Sequence, residues 1–502
     1  MWKAPITLVA LLPSMWMLWQ AGGLPHLGYF HDDGLYAGTA AALADGRGPR
    51  VESLPGEPWQ VKYPPLFPLY LALGVKWELV LLFLVWLPLP ALMYQVWRWR
   101  GDMLLVFLLG WNVFAVVFSG TALSEVFATV LVVASIRHLE RGRTRTAAVY
   151  AGLTYLARTA LIALPAGALL WLLTKKRWRE AGVFAAIFAP FFVGWSAFVA
   201  THTTPGVKGG AVYYLSYSQF FRENMDWGIL PTVLSINAQE LVGSLGGILF
   251  FNTGDSFWEL NFARLVLFAA VAGLVRQFRR DGPAPYTLMA LPYLALLVAW
   301  NFVPNARFVF PLFPLLLDGL LTELRHFRDM LKVTWTTQRA ATVVIGALVA
   351  AGAGWTIQRN AIAVWKYSPS IPLNYRAMAP DRELAYAWIR ANTPADANFL
   401  VYEDPALRRH TGRHGIGIHC PTRLFYTNDM KGILAYHEAL ITNMRDENLQ
   451  YLLIGPNDLA QDIQAADREK ILDNWKTRDD LETVYQNDRF RVRRLRPVQS
   501  GT

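Results

Sequence analysis

The sequence predicts a polytopic α-helical membrane protein with a small α/β domain at its C-terminal end. Three observations predict it. Of the 502 residues, 54% are hydrophobic and only 17% are charged, a combination rare in a soluble chain of this length. The apolar residues fall in long blocks, at 79–97, 103–118, 181–200 and 340–355 among others. Blocks of roughly 17–25 such residues match the hydrocarbon thickness of a bilayer. Beyond Gln358 the blocks stop and charges return.

The formal net charge of +10 is concentrated between the apolar blocks, at 98–100, 137–145, 175–179, 276–280 and 325–332. Short loops rich in Lys and Arg mark the cytoplasmic side and touch anionic headgroups. The charge therefore reads as topology. A nucleic-acid surface would need a basic, water-filled groove with stacking aromatics. The single Cys420 excludes an intrachain disulfide and a multi-cysteine metal site. No Gly-x-Gly-x-x-Gly or Walker loop is present, which argues against a nucleotide-driven pump. The start, Met1-Trp2-Lys3 followed by apolar residues, lacks a small-x-small cleavage site and reads as a retained first span.

With the basic clusters as cytoplasmic anchors, the first span (5–20) leads out to a loop at 21–62. A short interfacial or re-entrant helix follows at 63–76, and 79–97 returns inward. Residues 103–118 go out and 121–136 come back. The stretch 146–173 is too long for one span yet has basic clusters at both ends, so two short helices are expected to meet outside near Arg158. Residues 181–200 exit to a polar loop at 201–227. The block 229–251, interrupted by Asn237, Gln239 and Glu240, reads as interfacial. Blocks at 261–275, 286–302, 308–322 and 340–355 complete about eleven spans, with the N-terminus inside. The division expected is a membrane domain, 1–357, with its first outer loop at 21–63, and an extracytoplasmic domain, 358–502. In the latter, Leu384, Trp388 and Ile389 have helical spacing. Runs at 399–402 and 451–454 suit buried strands. Those at 481–485 and 490–494 flank the turn-prone Gln486-Asn487-Asp488, a hairpin pattern.

The most informative segment is the first outer loop: His31-Asp32-Asp33-Gly34-Leu35-Tyr36, then Lys62-Tyr63-Pro64-Pro65-Leu66-Phe67-Pro68. Adjacent carboxylates beside a membrane are costly unless they meet water, a metal or a cation. Like charges raise at least one pKa of the pair, which suits base work near neutral pH. The same oxygens are hard ligands for a divalent cation, and the plainer alternative is a loop turn with an N-cap at Asp32 or Asp33.

A first span, Asp-Asp-x-x-Tyr, an Ala-rich short helix and Lys-Tyr-Pro-Pro-Leu together resemble the GT-C membrane glycosyltransferases. More narrowly, the chain is similar to bacterial glycosyltransferase family 39 and the aminoarabinose-transferase group. Many members have Asp-Glu where this chain has Asp32-Asp33. The resemblance implies an enzyme of the bacterial cytoplasmic membrane, with its active site on the extracytoplasmic side. It would take a sugar from a polyprenyl-phosphate donor and pass it, with inversion, to a glycan, lipid or protein acceptor. Asp32 or Asp33 would be the catalytic carboxylate, with a divalent metal on the pair an open alternative. Lys62, Arg307 and Arg158 would bind the donor phosphate, and Tyr36, Tyr63 and Glu125 would contact substrate. For Arg158 an ion pair with Glu125 is equally in view, and for Lys62 snorkelling at the interface. His31 and His202 are single histidines, for which a metal role is the lesser alternative. Tyr213, Tyr214 and Tyr217 read by default as an interfacial aromatic belt, with stacking on sugars the alternative, and His410, His414 and His419 as a solvated basic surface rather than a zinc site. Two other classes, a flippase for a lipid-linked saccharide and a membrane-anchored binding protein, explain the spans without chemistry. Against the flippase, no internal repeat of the kind many transporters carry is found and the acidic pair lies outside the core; the binding-protein reading leaves the Asp32-Asp33 and Lys62 loop without a purpose.

Overall fold

The structure is a computed structural model and describes residues 4–21, 27–28, 30–204, 209–254, 256–334, 339–459, 463 and 465–497. The start 1–3, part of the first outer loop (22–26 and 29) and part of the polar loop (205–208) lie outside the described residues. The chain divides into two compact units. One comprises Met1–Gly23, Leu82–Ser196 and Val233–Ile371; the other comprises Leu24–Leu81, Ala197–Thr232 and Pro372–Thr502.

The first unit is helical. Three described helices, Glu78–Arg100, Trp178–His202 and Phe257–Asp281, are long and apolar enough to cross a membrane. Their outer faces are greasy: Leu265, Phe268, Val271 and Val275 on the third are all exposed at helical spacing. In water such a stripe would be an aggregation site; against acyl chains it costs nothing. Packing between helices relies on close backbone approach. A Cβ at Gly273 would lie 1.9 Å from the carbonyl oxygen of Gly319, so only glycine lets these two helices touch. The Pro88–Arg100 segment ends as its sequence dictates: Arg98 and Arg100 fill the last turn and Gly101 closes it at φ 71°, complementing the helix dipole and the unpaired carbonyls.

The stretch 146–173 does break in two, into Thr144–Ala157 and Ala163–Thr174, with Arg158 extended between them. The stretch 103–118, expected as one span, is divided as well. Asn112 interrupts it between helices Met103–Gly110 and Val113–Ser119. Its Oδ1 accepts from Phe114 and Ala115 N–H, and its Nδ2 donates to the Ile248 carbonyl at 2.7 Å. The next helix, Ser124–Glu140, turns 110° from Val113–Ser119. Asn237, one of the polar interruptions of the block at 229–251, is buried within helix Leu230–Leu249. Its amide donates to the terminal carbonyls of a neighbouring segment, the Trp300 oxygen at 2.7 Å among them.

In the second unit the short apolar runs form a five-stranded sheet, ordered β2-β1-β3-β5-β4. The strands are β1 (Asn398–Val401), β2 (His414–Gly417), β3 (Tyr451–Ile454), β4 (Leu481–Gln486) and β5 (Arg491–Leu495). β1 pairs in parallel with β2, in register Val401 to Gly417, and with β3. β5 joins β3 antiparallel and forms the expected hairpin with β4. β1 and β3 are buried throughout, which explains their unbroken apolar runs. Helix Asp404–Thr411 carries the chain from β1 to β2. Leu35, Val51 and Leu54 of the first outer loop join Leu400, Ile416 and Leu452 of the sheet in one core, so loop and C-terminal segment fold as one body.

Candidate active site

The residues singled out in the sequence gather at two places, one in each unit. In the helical unit Glu125 stands in the first turn of Ser124–Glu140 with none of its surface exposed. Arg158 Nη1 and Arg307 Nε both reach its Oε1 at 2.8 Å, and Arg158 also donates to Ser124 Oγ. Local chemistry aims these groups. The break at 158 frees that side chain from a helix face, and Asn305 caps the turn that begins at Ala306 by accepting from Arg307 N–H. A buried carboxylate needs such partners. The ion pair expected between Arg158 and Glu125 is therefore formed, and Arg307 joins it. Two guanidiniums held side by side present the donor geometry that suits an oxyanion, here the Glu125 carboxylate.

In the other unit, helix Asp32–Ala44 begins at the acidic pair, and the two carboxylates have different surroundings. Asp33 is fully buried. Its oxygens accept N–H bonds from Gly28, Phe30 and Gly34 at 3.0, 3.2 and 2.9 Å, so it ties the turn together. Asp32 is half-buried and accepts the Tyr63 hydroxyl at 2.5 Å. Burial, and then the charge of Asp32, push the Tyr63 phenol well above its ordinary range, so it stays a donor. The Tyr63 ring packs on Tyr36, which meets Phe67 edge-on. The Lys-Tyr-Pro-Pro segment thereby buttresses the acidic turn. Lys62 Nζ lies 3.0 Å from the ring centroid of Tyr213, with Tyr63 and Tyr217 further out at 4.9 and 5.6 Å. Such an aromatic cage holds an ammonium by its ring quadrupoles.

Two readings of the sequence are corrected here. Tyr214 is not part of an exposed aromatic belt but is buried, donating its hydroxyl to Asp404 Oδ1 at 2.8 Å. His419 is not on a solvated surface: its Nε2 is 2.8 Å from the same hydroxyl and its ring meets His31 edge-on at 4.6 Å. Burial lowers His31 to about 4 and His419 well below the usual imidazole range, and raises Asp404 to about 7. Both rings are neutral at pH 7. Sequence reasoning missed this cluster because Asp404 and His419 are brought together only by the parallel pairing of β1 and β2. The one local signal was His31 beside the acidic pair.

No family model matches the chain, and no curated protein matches it by sequence. Among solved structures, ArnT from Cupriavidus metallidurans bound to undecaprenyl phosphate superposes with a TM-score of 0.50 at 12% identity, covering 92% of this chain and 93% of that one. The apo state of ArnT covers 92% of each chain at 14% identity, with a TM-score of 0.48. The chain has the GT-C fold. Together with its apolar helices, the GT-C fold makes this a polytopic helical membrane protein.

Proposed function

We propose that the chain is an inverting glycosyltransferase that moves a sugar from a polyprenyl-phosphate donor to a hydroxyl on a glycan, lipid or protein. The site lies on the outer face of the bacterial cytoplasmic membrane. The observation that carries this reading is the GT-C fold, shared over 92% of the chain with an ArnT crystallised with undecaprenyl phosphate. About eleven spans, a cytoplasmic N-terminus and an extracytoplasmic C-terminal domain belong to the same proposal.

In this reading the two aspartates divide the labour. Asp33, taken up by three backbone amides, shapes the turn. Asp32, held in place by the Tyr63 hydroxyl, receives the proton of the acceptor hydroxyl. The acceptor oxygen bonds to the anomeric carbon as the bond from that carbon to the phosphate oxygen breaks on the opposite face, so the configuration inverts. The departing lipid phosphate is already a stable anion and needs positive charge more than a proton. In the helical unit Arg158 and Arg307, beside Glu125, are assigned that role; in the other unit Lys62 is, with Tyr36 assigned to substrate contact.

The test is transfer by purified protein in liposomes supplied with a polyprenyl-phosphate sugar and an envelope acceptor. Asp32→Asn should lower turnover by about 10²–10⁴, the range lost with a general base. Asp33→Asn should instead lower the melting temperature. Wild-type turnover by Asp32→Asn would overturn the assignment, and movement of lipid-linked sugar across the bilayer without turnover would favour a flippase.

A further inference from the structure

We propose that His31, Asp404 and His419 form a binding site for a zinc-class divalent ion, which pins the turn bearing Asp32 to the carboxyl ends of β1 and β2. One ligand atom from each residue lies within 4.8 Å of the others. His31 Nδ1 and Asp404 Oδ1 are 3.7 Å apart. Two ligands on a tetrahedral zinc at about 2.0–2.1 Å stand roughly 3.4 Å from one another, so closing the site takes side-chain shifts of tenths of an ångström to about one ångström. Two imidazoles and one carboxylate are a donor set that suits Zn²⁺ and excludes Mg²⁺ or Ca²⁺, which prefer oxygen cages.

The cluster is unfinished as a hydrogen-bond network. Both ring nitrogens of His31 are buried with no hydrogen-bond partner among the described residues, although Asp404 is fully buried only ångströms away. Polar atoms left in that condition are costly, and a metal would satisfy the ring nitrogen that carries the lone pair. His31 is also held at φ 60°, a left-handed conformation that an L-residue adopts only where its surroundings impose it. The surroundings are tight: a Cβ at Gly417 would fall 2.1 Å from the Tyr214 oxygen, 2.7 Å from His419 Nε2 and 2.9 Å from Asp404 Oδ1. The sheet explains the meeting. Val401 and Gly417 are in register, so the segments leaving β1 and β2 emerge side by side and deliver Asp404 and His419 together. Carboxyl ends of parallel strands are where such folds place ligands. Tyr214, hydrogen-bonded to both, then orients the two ligands.

The proposal stands apart from sugar transfer, and its test reads metal and not turnover. The full chain, purified in detergent and stripped with chelator, is titrated with Zn²⁺ by calorimetry and with Co²⁺ by visible absorption. The expected result is one ion per chain and the intense absorption of tetrahedral Co²⁺. Asp404→Asn and His419→Ala should each weaken binding by about 10²-fold or more, losing one of three protein ligands. His410→Ala, remote from the cluster, should bind as the wild type does, and Tyr214→Phe should keep binding within about 10–100-fold, the range lost with a residue that orients ligands without touching the metal. Absence of stoichiometric binding by the wild-type chain would overturn the proposal even if the ligand variants misfold, and so would undiminished affinity in both ligand variants.

Discussion

Burial decides the behaviour of several single residues here, and His410 allows the point to be measured. Its ring stacks on Tyr386, and burial, reinforced by Arg382, Arg409 and Arg390, lowers its pKa from 6.5 to about 4. Above pH 6.5 the imidazole is neutral in both folded and unfolded chains and costs nothing. As pH falls from 6.5 towards 4, the unfolded chain takes up the proton first and stability drops, by up to roughly 3 kcal/mol. His410→Gln should therefore flatten the melting temperature over that window; an unchanged acid slope would contradict the assignment. The acidic pair teaches a related lesson. Asp32-Asp33 was legible as a motif, but the partition between them was not, because it depends on which carboxylate turns back to the amides of Gly28, Phe30 and Gly34. Adjacent residues of one type look identical until the backbone chooses a direction for each.

Elements were legible where their signal was strong and local. The strands at Phe399 and Tyr451 and the hairpin around Asn487 announced themselves by short apolar runs and turn residues. The break at Arg158 followed from length and from basic flanks. The break at Asn112 did not, since one amide hardly changes the hydropathy of the apolar residues around it. Yet that amide caps a helix and bonds the Ile248 carbonyl. Asn112→Ala leaves two helical amides and one carbonyl without partners and should cost about 1–2 kcal/mol, read as a lower melting temperature in detergent. No change would mean that water replaces the side chain. The cluster of His31, Asp404 and His419 illustrates the opposite limit: no spacing rule links residues that only strand pairing assembles.

At the scale of the whole molecule, composition alone was enough to read a membrane protein, because long apolar blocks have few other uses. Sidedness rests on the basic loops and is open to direct test. Cys420 is buried, so the native chain supplies a quiet background for thiol labelling. In intact spheroplasts a membrane-impermeant maleimide should label Asp479→Cys, on an exposed position of the C-terminal domain, and should not label Arg279→Cys in the basic last turn of helix Phe257–Asp281. The reverse pattern would invert the proposed topology.

Two proposed lipid-phosphate contacts are central, each within its own unit: Lys62 in its tyrosine cage and Arg307 beside Glu125. The most direct measurement is the affinity of the purified chain for undecaprenyl phosphate, compared with Lys62→Ala and Arg307→Ala. Each variant should bind about tenfold more weakly, as loss of one charge-assisted contact requires. A wild-type chain indifferent to the lipid, or two variants that bind it as well as the wild type, would contradict the account.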